Sequence, residues 1–112
     1  MKFNYIYGKQ AEQYDYLYIP KAFMKEEPFK TMTASAKIMY AVLMEKQQKS
    51  VEMGWIDEKD HAYILANIVA IGTELNWDEA EVLAAVEELE RFGLVEIAEK
   101  FEDIKLYLKR FV

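Results

Sequence analysis

The stretch WDEAEVLAAVEELERFGLVEI, residues 77 to 97, constrains the fold most. Val82, Leu83, Val86 and Leu89 recur at helical steps and place one apolar stripe along a helix. Asn76 followed by Glu79 three residues on forms an N-x-x-E version of the capping box, so Asn76 is the expected cap. Asp78 and Glu79 sit where the positive end of the helix dipole favours acids. Gly93 suits the left-handed position that stops a helix, and LVEI beyond it reads as the start of a strand. From Asp78 to Arg91 this helix holds six acids and one base.

Other elements follow from local pattern. Residues 14 to 19, YDYLYI, set Tyr14, Tyr16 and Tyr18 on one side and Asp15, Leu17 and Ile19 on the other, which predicts a strand ending at Pro20. PKAFMKEEPF is a connector with room for one helical turn. Thr33 is an expected N-cap for a helix over 34–48, whose stripe is Ala36, Met39, Tyr40, Leu43 and Met44. Gly54 closes that segment, a turn runs through Asp57 to Asp60, and a short strand follows near 62–65. Asn67 caps a short helix over 68–75 carrying Ile68, Ile71 and Leu75. LVEIAEKF and DIKLYLKRF alternate as two strands around a tight turn near Glu99 to Asp103.

From the first long helix onward, this order is the winged helix-turn-helix plan. The expected class is α+β: a three-helix core with a small antiparallel sheet and an extra N-terminal strand. Residues 1–13 read as an N-terminal aromatic arm and 14–112 as the winged-helix domain.

Composition narrows the function. A chain of 112 residues with 53% hydrophobic and 30% charged residues suits one globular domain. The absence of cysteine excludes a disulfide framework, a thiolate zinc site and a cysteine nucleophile. Asp57, Glu58, Asp60 and His61 crowd one turn, but their spacing fits neither a calcium loop nor a zinc pair. No Ser-His-Asp grouping or glycine-rich phosphate loop occurs, so no enzyme, cofactor or small-molecule substrate is expected. No apolar run approaches a membrane span and no signal peptide is recognisable, which points to a cytoplasmic protein. Charge is uneven: residues 1–50 carry eight bases and five acids, residues 51–112 six bases and fifteen acids, giving +3 and −9 and the total of −6.

Four motifs in order carry a family resemblance: IPK after the first strand, F-K-x-M-T-x-x-A-K-x-x-Y-x-x-L at the first helix, W-x-D-E before an aromatic-containing strand, and E-L-E-x-x-G-L at the end of the third helix. Over roughly residues 14 to 97 the chain resembles the N-terminal domain of the replication initiator A family of plasmids in Gram-positive bacteria. The resemblance implies a bacterial winged-helix domain that, in initiators, binds repeated sequences at a replication origin, commonly as a dimer.

Double-stranded DNA is therefore the expected partner. Lys100 and Lys105 beside the wing turn, Lys109 and Arg110 after it, Arg91, and Lys30 and Lys37 beside the first helix are the candidate phosphate contacts. Asp78, Glu81, Ala84, Ala85 and Glu88 are the expected exposed face of the third helix, for DNA or protein. Each acid near a phosphate costs a few tenths of a kcal/mol in screened, high-dielectric surroundings, and bases are what normally hold such a helix to a backbone. A second reading stays open: a non-enzymatic module that meets a basic protein through this acidic helix. Tyr5, Tyr7, Tyr14, Tyr16 and Tyr18 form a candidate dimer interface, packing on the sheet or on a second copy.

Overall fold

The computed structural model describes residues 2–8 and 15–110. A short helix α1 (Ala22–Lys25) and a 3-10 turn (Glu27–Phe29) lead into the long helix α2 (Ala34–Gln47). A one-turn helix α3 (Ser50–Met53), strand β1 (Ile64–Asn67), helix α4 (Ile68–Leu75) and helix α5 (Glu79–Arg91) follow. The chain closes on the hairpin of β2 (Val95–Lys100) and β3 (Asp103–Leu108). The sheet order is β1-β3-β2, antiparallel throughout, so β3 is central and the wing is the β2–β3 hairpin. This is the winged-helix order, with α2, α4 and α5 as the three-helix core. Among the described residues no helix is long and apolar enough to cross a membrane.

The caps explain most boundaries. Thr33 Oγ1 accepts from Ala36 N at the start of α2, and Asn67 Oδ1 accepts from Ala70 N at the start of α4. Asp78, not Asn76, caps α5, its Oδ1 accepting from Glu81 N at 2.8 Å. Asn76 instead ends α4 in the left-handed conformation, at φ 58°. The N-x-x-E spacing misplaced the cap because Asn suits both a helix stop and a helix start. Gly93 takes the left-handed stop expected of it, at φ 81°, and Gly54, at φ 74°, ends not the long helix but the one-turn α3 that follows it.

The core lies between the helices and one face of the sheet. Helix α2 contributes Ala36, Met39, Tyr40, Val42 and Leu43, and α5 contributes Val82, Ala85, Val86 and Leu89. The sheet answers with Ile64, Ala66, Ile104 and Leu106, all at most 2% exposed. Ile97 pairs with Leu106 and Glu99 with Lys105, so Ala98 is the extra residue of a β-bulge that bends the wing.

The expected strand over 14–19 does not form in the described part, residues 15–20. Tyr16, Leu17 and Tyr18 instead line a cleft with Ala41, Met44 and Gln48 of the α2 region. Alternating β-formers fit a pleated surface, yet among the described residues the outer edges of β1 and β2 have no strand beside them and this segment lies against α2 instead. This segment therefore meets a helix, not the sheet. Tyr14 lies outside the described residues.

The α4–α5 turn depends on a glycine the sequence pattern did not single out. Trp77 N donates to Gly72 O at 2.8 Å, and a Cβ on Gly72 would stand 2.6 Å from Trp77 O. A backbone oxygen cannot move aside as a side-chain tip could. Gly72→Ala should lower stability by about 1–3 kcal/mol, measured by urea unfolding. Wild-type stability in that variant would contradict this account of the turn.

Candidate nucleic-acid interface

Helix α5 presents a different face from the one its periodicity suggested. Asp78, Glu81, Ala84 and Arg91 are exposed as expected, but Ala85 is buried, 2% exposed, and Glu88 is half-buried. Alanine carries little hydropathy signal, so the pattern could not tell Ala84 from Ala85; packing against α2 selects Ala85. The outward surface is Glu79, Ala80, Glu81, Ala84, Glu90 and Arg91, with Glu87 at its margin.

Glu88 is turned inward toward α2. Its Oε2 accepts from Thr33 N at 2.8 Å and its Oε1 from Thr33 Oγ1 at 2.7 Å. Thr33 N belongs to the first turn of α2, where amide hydrogens have no partner within the helix. The carboxylate supplies one and meets the positive end of that helix dipole. No sequence spacing could have signalled a pair 55 residues apart.

The candidate cations fall into separate groups. Lys100 closes β2 beside the wing tip, where Phe101 is 84% exposed. Lys109 and Arg110 follow β3 at the opposite end of the hairpin, about 17 Å away for strands of this length. Lys105 pairs with Glu99, one rung in from the Lys100–Ile104 pair at the tip, and its Nζ lies 4.5 Å from the centre of the Tyr63 ring. Arg91 and Lys30 adjoin the Phe92 and Phe29 rings, whose centroids are 6.5 Å apart. Lys37 is half-buried one turn into α2, on the side of Thr33. Two of the bases are already paired, Lys30 with Glu27 at 2.8 Å and Lys109 with Glu96 at 3.2 Å. Among the described residues Lys100, Arg91 and Arg110 are exposed and in no ion pair. The candidate cations of the wing thus stand at the two ends of the hairpin, Lys100 and Lys105 toward its tip and Lys109 and Arg110 at its base.

Residues 15–112 match the family described as replication initiator protein A (RepA) N-terminus. The chain belongs to that family. Three solved structures share the fold of this RepA N-terminal domain. One described as "N-Terminal domain of DNA binding protein" has a TM-score of 0.79 and 24% identity, covering 99% of this chain and 86% of that one. A "Structure of MDR initiator" has a TM-score of 0.78 and 23% identity, covering 96% and 86%. A "Structure of Rep-DNA complex" has a TM-score of 0.78 and 24% identity, covering 97% and 85%. None of the curated proteins matches the chain.

In this RepA domain the tyrosines expected at an interface divide. Tyr5 and Tyr7 stand 82% and 61% exposed in the arm, their rings 6.5 Å apart and edge to face. Tyr16 and Tyr18, also exposed, border the α2 cleft.

The acidic turn that raised a metal question is an internal lock. Asp57 Oδ1 accepts from His61 N at 2.8 Å and Lys59 N at 2.9 Å, while Tyr107 donates its hydroxyl to Oδ2 at 2.8 Å. These bonds, the His61 amide foremost, hold the Asp57 carboxyl below its ordinary value of 3.8. The same contact pushes the Tyr107 hydroxyl up, because its proton is held by the carboxylate. The lock ties the turn to β3 and borders a groove of about 880 Å³ that also reaches Lys59, Lys109 and Arg110. A depressed folded pKa contributes stability that is complete above the unfolded value and fades as pH falls through the folded one. The stability difference between wild type and Asp57→Asn should therefore shrink as pH drops from 7 toward 2. A difference constant across that range, measured by denaturant unfolding, would contradict the lock.

Proposed function

We propose that this chain is the duplex-binding domain of a replication initiator and engages repeats at a replication origin. Membership of the RepA N-terminus family over residues 15–112 carries this reading. The shared fold with a structure described as a Rep-DNA complex supports it.

The charge distribution shapes how such binding works. With few bases on α5, the backbone grip falls to Lys100 at the wing tip, to Arg91 and Lys30 beside the helix end, and to Lys109 and Arg110 at the hairpin base. Ala80 and Ala84 allow α5 to approach a groove closely, and Arg91 is its one side chain suited to guanine. About four phosphate contacts predict that log K falls with log salt at a slope near −4, roughly a hundredfold in affinity between 50 and 200 mM. A gel-shift titration measures it. Lys100→Ala should flatten the slope by about one, and Arg91→Ala should cost about 1–3 kcal/mol and relax specificity.

The acids exposed on α5, Glu79, Glu81 and Glu90, favour a second, non-enzymatic reading in which α5 meets a basic protein. Absence of any shift at about 50 mM salt, together with retention of a basic partner, would replace the first reading by this one.

We also infer a homodimer formed through the arm. Phe3, Tyr5, Ile6 and Tyr7 are each more than 60% exposed, a concentration of apolar surface uncommon outside contact sites. Tyr5→Ser with Tyr7→Ser should shift the mass in sedimentation toward the monomer. A wild-type mass that is strictly monomeric at tens of micromolar would overturn the dimer.

A further inference from the structure

The unassigned feature with the most specific geometry is the pair Glu88–Thr33. We propose that Glu88 is a positioning residue: it touches no base and fixes the orientation of α5 on α2, and through it the sequence discrimination of the domain. The inference rests on the duplex-binding reading above.

The packing between these helices is apolar, Ala36, Met39 and Leu43 of α2 and Val82, Ala85 and Val86 of α5 all lying in one core. Burial of this kind is strong but non-directional. Small side chains meet where the helices cross, Ala36 at 0% and Ala85 at 2% exposure, so no large side chain interlocks α5 with α2 at that point. The carboxylate adds direction. Two hydrogen bonds of 2.8 and 2.7 Å, both charge-assisted, run from one residue of α2 to the two oxygens of one residue of α5. Thr33 Oγ1 is itself fixed, because while donating to Glu88 it accepts from Ala36 N at 3.2 Å. Four groups thus hold one another in place.

The location matters as much as the strength. Glu88 lies one turn from Ala84 and from Arg91, and two turns from Glu81, all on the outward surface. A rotation that breaks the pair swings those positions together. Base discrimination needs its contacting groups held to about half an ångström, whereas phosphate attraction tolerates looser placement. Loss of Glu88 should therefore spare general affinity and degrade specificity. Removing a negative charge even favours general affinity slightly.

The test uses a duplex selected from a random pool by the wild-type chain, and a shuffled duplex of the same composition. The quantity read is the ratio of the two affinities, with a thermal midpoint for every variant. Glu88→Ala should lower the ratio roughly tenfold or more while binding shuffled duplex at least as well as wild type. Glu88→Gln, which keeps the shape and one acceptor, should lose part of the ratio and guards against a folding failure of the alanine variant. Thr33→Ser keeps both donors and should retain the wild-type ratio. A wild-type ratio in Glu88→Ala or Glu88→Gln overturns the positioning role and leaves the duplex-binding reading standing. A wild-type chain that enriches no sequence overturns that reading, and the positioning role with it.

Discussion

Tyr40 holds the two halves of this fold together. It is 1% exposed in the middle of α2, with its ring edge to face against Phe23 at 5.1 Å. Its hydroxyl donates to the Lys109 carbonyl at 2.8 Å, just past the end of β3. A buried tyrosine needs such a partner, and here the partner is the base of the wing. One side chain thus joins the connector before α2, the helix itself and the hairpin. Burial raises the pKa of the hydroxyl above its ordinary value. The wing has a defined origin relative to the helices because this bond and the Lys109 N to Leu94 O bond at 2.7 Å clamp its base.

Around that frame the acids of α5 acquire separate roles. Asp78 caps the helix, Glu79 and Glu81 occupy its first turn near the positive dipole end, and Glu88 holds α2. Glu87 and Glu90 have no such internal role in this account. Four of the six acids thus have an internal role, but only Glu88 is turned away from the outward face, which still carries Glu79, Glu81 and Glu90 beside Arg91. Exposed bases stand at the margins, at Lys100, Arg91 and Arg110, so a duplex would be gripped from the edges of the domain.

The sequence revealed what is local. The helices over 34–47, 68–75 and 79–91, the left-handed glycines 54 and 93 and the hairpin all follow from periodicity, capping chemistry and turn residues within a few positions of one another. The family motifs were legible for the same reason, since they run in order along the chain. What escaped was set by distant partners. Ala85 is indistinguishable from Ala84 until α2 is placed beside it, and Glu88 cannot be read as a cap for a threonine 55 residues earlier. The Asp57–Tyr107 lock spans 50 residues with no spacing rule behind it. The tyrosine-rich segment after residue 14 misled because alternation reports a preference for a pleated surface, not which surface of the fold the segment packs on.

The central claim is that duplex DNA meets the winged-helix surface from its edges, with α5 close but not dominant. Amide chemical-shift mapping during titration with the selected duplex tests it most directly. The account predicts the largest changes at Ala84, Arg91, Lys30 and Lys100 and along the wing tip, with the interior of α2 little affected. Changes confined to the arm around Tyr5 and Tyr7, or none at low salt, would contradict it.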